Sequence, residues 1–273
     1  MPELPEVETV RRSLELNLTG PRVTSVSGRS IALRRPLDVG RLQPLLIGRQ
    51  FLTPRRRGKF LLLDVEPPGS LLVHLGMTGR IQLVKASLPR RDHTHLVIHL
   101  NDGRQLRFVD PRRFGLVDWL DPGAEERDPS LAKLGVEPLD PSLNKVLPPL
   151  FRSRRAPLKS LLLDQRLVVG IGNIYAAEAL WRSGIHPRRS GNRTSLVRLR
   201  RLADAVRSVL GEAIERGGTT LRDFAGPDGE EGYFAIRLDA YGRQGEPCGR
   251  CATTIRAARI GGRTTAWCPG CQR

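Results

Sequence analysis

The chain has 273 residues of ordinary hydrophobic content, with 45 Lys and Arg against 28 Asp and Glu and a formal net charge of +17. That length holds one large or two modest domains with a real core, and the composition excludes global disorder. No stretch approaches the roughly 20 apolar residues of a membrane span, and the acidic opening Met1-Pro2-Glu3-Leu4-Pro5-Glu6 lacks a signal peptide's basic and apolar regions, so an intracellular protein is expected.

Pro5 suits the first position of a helix, and Val7, Val10, Leu14 and Leu18 follow at helical spacing. Short apolar runs come next, at 60–65, 70–75 and 80–84. Two more, 95–100 and 104–109, flank the hairpin signal Asn101-Asp102-Gly103. Several short strands of this kind predict a sandwich or barrel over residues 1–135. Residues 136–157 carry Pro138, Pro141, Pro148, Pro149 and Pro157 and read as a linker. Helical patterns then fill 158–235. Leu158–Val169 forms one segment, and Asn173 can cap a second with Ile174, Ala177, Leu180 and Trp181 on one face. Leu196, Leu199, Leu202, Val206, Leu210 and Ile214 mark a longer third helix, ended by Gly217-Gly218. A short Gly-rich, cysteine-bearing region, 240–273, closes the chain.

The charge excess attracts polyanions, nucleic acid foremost. Arginine enrichment through genomic base composition would also raise the basic count, yet it does not explain why acidic residues fall so far behind. All four cysteines lie in the last region, as Cys248-x2-Cys251 and Cys268-x2-Cys271. Each pair can turn two thiolates toward one centre, and two pairs complete the closed tetrahedral shell of one structural Zn2+. Disulfides or a redox pair are the alternatives; a reducing compartment and two matched pairs favour the metal. Between the pairs, Ile255–Arg259, Gly261-Gly262 and Arg263–Trp267 read as a hairpin. So small a segment has little apolar core, so metal should supply its folding energy. Arg256, Arg259 and Arg263 can meet phosphates, with Arg263 beside the turn the first choice.

A proline at position 2 permits excision of Met1, which exposes a secondary amine. α-Amino groups titrate below lysine, near 7.7–8.0 on the generic scale, so a useful fraction is neutral and nucleophilic. Condensed with a sugar C1′, such an amine gives a permanently cationic iminium that draws electrons from the neighbouring carbons. Glu3 and Glu6 could shuttle protons beside it. On residue types alone, the same three residues equally describe an ordinary helix N-terminus with favourable charges.

The opening Pro2-Glu3-Leu4-Pro5-Glu6-Val7-Glu8-Thr9 resembles the formamidopyrimidine-DNA glycosylase family. So do His74-Leu75-Gly76-Met77-Thr78-Gly79, Asp110-Pro111-Arg112-Arg113-Phe114-Gly115, Val168 to Tyr175 and Gly217 to Phe224, with the four-cysteine finger last. The resemblance implies an α+β fold: a β-sandwich with an opening helix, a helix–two-turn–helix domain with a β-hairpin zinc finger, and a DNA groove between the domains. It implies base-excision repair of oxidised purines in damaged double-stranded DNA, with β,δ-elimination at the abasic site. The enzyme is then expected to be monomeric, bacterial, cytoplasmic and nucleoid-associated.

The roles carried by the resemblance are specific. Pro2 attacks C1′, Glu3 moves the proton, Glu6 supports the site, and Lys59 contacts phosphate and assists elimination. Met77, Arg112 and Phe114 fill the hole left by the flipped nucleotide. His74, Asn173 and Arg263 hold phosphates, Lys159 faces the lesion pocket, and the Gly217 to Phe224 loop closes over the base. Two other readings stay open: the related endonuclease VIII branch, which prefers oxidised pyrimidines, and a non-catalytic zinc-bearing DNA binder. Leu4 and the Met77, Arg112, Phe114 set favour the purine branch; Pro2, Glu3 and Lys59 argue against a mere binder.

Overall fold

The computed structural model describes residues 1–217 and 238–273. Among these, Met1–Ala132 form one compact unit, and Lys133–Arg216 with 238–273 form a second.

The first unit opens with α1 (Leu4–Leu18) and continues through β1 (Val23–Gly28), the short β2 (Ile31–Ala32) and β3 (Pro36–Leu37), and α2 (Val39–Leu46). Strands β4 (Gln50–Phe51), β5 (Arg55–Arg57), β6 (Phe60–Glu66), β7 (Gly69–His74) and β8 (Arg80–Lys85) follow. β9 (Thr94–Leu100), β10 (Arg104–Val109) and β11 (Leu116–Leu120) complete the unit. They make two antiparallel sheets, one in the order β1-β9-β10-β8 and the other β11-β7-β6-β4, with β5 also pairing β6. Strand side chains alternate between faces. Leu61, Leu63 and Val65 of β6 therefore share one buried cluster with Leu71 and Val73 of β7, and with Leu96, Ile98, Leu106 and Phe108 of the other sheet. Val7, Val10, Leu14 and Leu18 lay one stripe of α1 into the same core. Each such fully buried aliphatic is worth about 1.5–3 kcal/mol relative to exposure. This is the expected sandwich, with α1 holding residue 2 at its edge.

The second unit differs from the sequence expectation in three places. The proline-rich segment is not an open linker: α3 spans Leu143–Arg152, with Pro148 and Pro149 inside it. Leu143, Leu147 and Phe151 recur at i, i+4 and i+8 and are fully buried in the helical core. Their burial outweighs the two missing N–H groups. The segment expected as one helix from Leu158 stops early, as α4 (Leu158–Leu163), where the Asp164 carboxylate accepts the Arg166 N–H at 3.0 Å and turns the chain. Next, α5 (Asn173–Ser183) is capped by Gly172 rather than Asn173, whose side chain is engaged elsewhere. A final helix, α6 (Leu196–Glu215), matches expectation except that Leu196 is exposed at its first turn.

β12 (Arg256–Ile260) and β13 (Arg263–Trp267) form the expected hairpin, with Ile260 opposite Arg263. Gly261 and Gly262 turn it at φ 59° and 76°, a left-handed pair that side chains rarely adopt. The finger is not a free-standing domain. Ile255, Ala266, Cys248 and Cys268 share a small cluster with Ala240 and with Trp181 of α5. The Arg250 guanidinium also stacks 3.8 Å from the Trp181 ring centre.

Candidate active site and metal centre

At the chain's start, Glu3 is the N-cap of α1 and Glu6 its third residue, and the two exchange reciprocal side-chain-to-backbone bonds. The Glu3 N–H donates to Glu6 Oε2 at 2.8 Å. Both carboxylates are 2% exposed. The main chain directly after Pro2 is thus fixed by the first turn of α1. With Met1 in place the Pro2 nitrogen belongs to a peptide bond and has no lone pair with which to attack.

Lys59 follows Gly58 in the turn between β5 and β6 and is largely buried. The arginines before it are committed elsewhere. Arg55 bonds Asp64 and Glu125, and Arg56 donates to Glu8 at 3.0 Å. Burial pushes the Glu8 carboxyl up, but the guanidinium groups of Arg11 and Arg56 outweigh it and hold Glu8 below its usual range. Arg55 and Arg56 are therefore tied down by carboxylates rather than offered to a polyanion.

His74, at the end of β7, pairs in register with both Phe60 and Leu116. Burial, helped by the charges of Arg34 and Lys59, lowers its pKa to about 3. Its Nδ1 accepts the Gly76 N–H at 2.9 Å, so the single ring proton sits on Nε2. His74 can offer a phosphate one neutral hydrogen bond but no charge. Arg34, exposed and linked through its N–H to the Gly115 carbonyl at 3.0 Å, joins Lys59 as a cation at this spot. Nothing in its sequence neighbourhood singled it out.

Met77 and Phe114 stand 40% and 50% exposed, against the burial usual for such side chains. The Arg112 guanidinium lies 5.0 Å from the Phe114 ring centre. Their two loops are fastened by a residue the sequence reading passed over. Asp110 is fully buried, and its carboxylate accepts Thr78 Oγ1 at 2.8 Å, the Gly115 N–H at 2.7 Å and the Arg112 N–H at 3.3 Å. His95 Nε2 meets the Asp110 carbonyl at 2.9 Å. Gly76, at φ 64°, lets the loops touch: a Cβ there would sit 2.5 Å from the Phe114 carbonyl carbon. Asp110 stood inside a quoted motif, but only the fold shows that it spans two loops.

In the second unit, Lys159 lies against the finger's hairpin. It is fully buried, and its Nζ donates to Thr265 Oγ1 and, at 3.3 Å, to the Thr264 carbonyl. Asn173 Nδ2 donates to that same carbonyl at 3.0 Å. Both side chains thus grip β13 directly after Arg263, which is itself exposed beside the Gly-Gly turn. Glu178 of α5 is another residue missed in sequence. Its buried carboxylate accepts the N–H groups of Asp239, Ala240 and Tyr241 at 2.9, 2.9 and 2.8 Å. Burial raises its pKa despite those bonds. Of the loop expected to close over the base, Gly218 to Phe224 lie outside the described residues.

The four cysteine sulfurs lie within 4.8 Å of one another. Specific pairs stand 3.3, 3.4 and 3.9 Å apart. Tetrahedral zinc with Zn–S near 2.3 Å needs sulfurs about 3.8 Å apart, so one Zn2+ fits. Main-chain N–H groups of Arg250 and Cys271 point at Cys248 and Cys268 sulfurs, as in metal knuckles. Burial and the neighbouring thiols push Cys271 up to about 12.

Three family models match the chain in order. The formamidopyrimidine-DNA glycosylase N-terminal domain covers residues 1–117, the H2TH domain of that enzyme 134–225, and the zinc finger found in FPG and IleRS 245–273. The formamidopyrimidine-DNA glycosylase of Xanthomonas euvesicatoria pv. vesicatoria (strain 85-10) is 49% identical over 274 residues, covering 100% of both chains. Among solved structures, the MutM (Fpg) protein from Thermus thermophilus is 41% identical with a TM-score of 0.86, over 99% of this chain and 98% of that one. The Lactococcus lactis Fpg (MutM), solved with an N7-benzyl-Fapy-dG containing DNA, is 33% identical with a TM-score of 0.89 over 100% of both. Sandwich, helical domain, four-sulfur centre and full-length likeness agree: the chain belongs to the formamidopyrimidine-DNA glycosylase family.

Proposed function

We propose that the chain, once Met1 is removed, excises oxidised purines from duplex DNA by attack of the Pro2 amine on C1′ of the damaged nucleotide. The observation that carries this reading is the buried Glu3–Glu6 pair, whose bonds fix the main chain next to Pro2. The amine nitrogen bonds to C1′ as the C1′–base bond breaks, and the departing base takes up a proton. Opening of the sugar ring, with proton transfer through Glu3, gives the iminium. Its cationic nitrogen acidifies the C2′ proton, whose loss expels the 3′-phosphate; a second elimination expels the 5′-phosphate. Water then hydrolyses the adduct and frees Pro2.

The remaining residues position the DNA. Glu6 orients the Glu3 backbone, and Lys59 contacts phosphate and assists elimination. His74 donates its Nε2 proton to a phosphate oxygen with Arg34 supplying charge. Met77, Arg112 and Phe114 fill the vacated stack from the Asp110-clamped loops. Arg263 contacts phosphate from a turn whose following residues are held by Lys159 and Asn173. Zn2+ on Cys248, Cys251, Cys268 and Cys271 stabilises that turn's scaffold. The protein acts as a monomer on damaged double-stranded DNA in the bacterial nucleoid, away from membranes; among the described residues no helix is long and apolar enough to cross one.

Borohydride reduction on an abasic or 8-oxoguanine duplex should trap a covalent adduct with the processed chain. Pro2→Gly, or retention of Met1, should abolish it while leaving DNA binding intact. Binding without any adduct in the processed wild-type chain would sink the catalytic reading. A faster reaction on thymine glycol than on 8-oxoguanine would move the chain to the pyrimidine-preferring branch.

A further inference from the structure

The connection from α5 to α6 holds a basic hollow that none of the reactions above uses. It has a volume of about 390 Å³ and is lined by His186, Arg188, Arg189, Ser190, Arg193 and Arg273. Among the described residues no Asp or Glu side chain lines it. Among the described residues, no carboxylate bonds the side chains of Arg188, Arg189 or Arg193. This contrasts with Arg55, Arg56 and Arg182, each tied to an acidic partner.

The walls are built rather than loose. The His186 carbonyl accepts the Arg189 N–H at 3.0 Å, closing a turn around Pro187. His186 Nδ1 accepts the Arg188 N–H at 3.2 Å, which leaves the ring proton on Nε2 as a donor. The ring is braced edge-on against Trp267, 5.2 Å between centres. Arg189 Nη2 is anchored on the Arg193 carbonyl at 3.1 Å, while its Nε is buried with no hydrogen-bond partner. A buried guanidinium N–H without a partner is costly, so this side chain is held in place at a cost to stability. Burial, helped by the charges of Arg189 and Arg201, disfavours the charged form of neighbouring Arg198, whose Nη2 donates to the main-chain oxygen of Arg273.

We infer that this hollow is a second anion site, and that its ligand is a phosphate group. Planar guanidinium forks, a neutral imidazole N–H and a serine hydroxyl together match the oxygens of a phosphate and offer nothing for an apolar ligand. Two sources share that chemistry: a backbone phosphodiester of DNA away from the lesion, and free inorganic phosphate.

The test uses the full zinc-loaded chain and an Arg188→Gln/Arg193→Gln variant, both positions being exposed. Affinity for an undamaged duplex is measured across a salt series. Inorganic phosphate is titrated separately while the Arg189 Nε–H resonance is followed. A salt slope shallower by about 2 in the variant assigns the site to backbone phosphates. An unchanged slope, with a phosphate-induced shift present in the parent and lost in the variant, assigns it to free phosphate. Equal slopes and no shift in the parent overturn the site. An Arg189→Lys chain, which keeps charge but loses the planar guanidinium fork, should weaken the same readout. Borohydride trapping at saturating DNA should be unchanged throughout, so this proposal and the Pro2 chemistry fail separately.

Discussion

Two turns in this protein hold side chains out toward solvent that we propose to meet DNA, and opposite means keep them in place. The loops bearing Met77 and Phe114 rise from a sandwich with an extensive apolar core, and a single buried carboxylate, Asp110, joins them. The turn bearing Arg263 rises from a finger with only a handful of buried side chains, joined by four sulfurs. A large core can absorb a buried charge if its hydrogen bonds are complete. A small one lacks the apolar area, and a metal must stand in for it. Exposed reading elements therefore need a rigid base, but the chemistry of that base follows from the size of the core beneath.

The contrast can be broken most directly at the metal. Chelation, or Cys268→Ser, should unfold 245–273 and open it to protease, since structural zinc contributes on the order of 10 kcal/mol. The sandwich should melt as before. If the finger keeps its protection without zinc, the contrast is wrong. Asp110→Asn tests the other side. It places an amide against N–H donors and should cost about 2–3 kcal/mol in urea melts, with metal content unchanged.

Acid should separate the regions further. In the unfolded chain His74 titrates near its ordinary 6.5, whereas the fold keeps it neutral down to about 3. Between those values the unfolded chain holds the extra proton. Stability is therefore lost as pH falls from 6.5 toward 3, by up to about 1.4 kcal/mol per unit. His74→Gln should flatten that slope in melts of the first unit.

Smallest in stability are the exposed residues themselves. Phe114→Ala and Arg263→Ala should each shift stability by less than about 0.5 kcal/mol. Phe114→Ala should nonetheless slow base excision, and Arg263→Ala should lower the salt slope of DNA binding by about 1. A large stability loss in either would mean that it belongs to the base and not to the reading element.

Much of this was legible in the sequence, for reasons that differ by element. Alternation and Asn101-Asp102-Gly103 are local signals, and β9 and β10 flank that turn as expected. Cysteine spacing is local too, and the sulfurs converge. What escaped depends on contacts between distant residues. Pro148 and Pro149 read as breakers because their cost is local, whereas the burial of Leu143, Leu147 and Phe151 that offsets it is tertiary. Asn173 looked like a cap because nothing in its neighbourhood reveals Thr264, ninety-one residues on. Lys159 bonds the Thr264 carbonyl, 105 residues on, which no local pattern announces. Asp110 joins its own loop to Thr78 and Glu178 reaches Ala240, so a charge pattern could not separate them from solvated acids.

The close approach at Gly76 constrains how the molecule can change over generations. Main chain meets main chain there, so neither loop can lengthen, shift or gain a side chain at the contact without displacing the other. Met77 and the Arg112–Phe114 segment should therefore change only together, although thirty-odd residues separate them. A chimera that takes one loop from a relative and keeps the other should lose both, whereas exchange of 74–79 together with 110–115 should carry the relative's behaviour across intact.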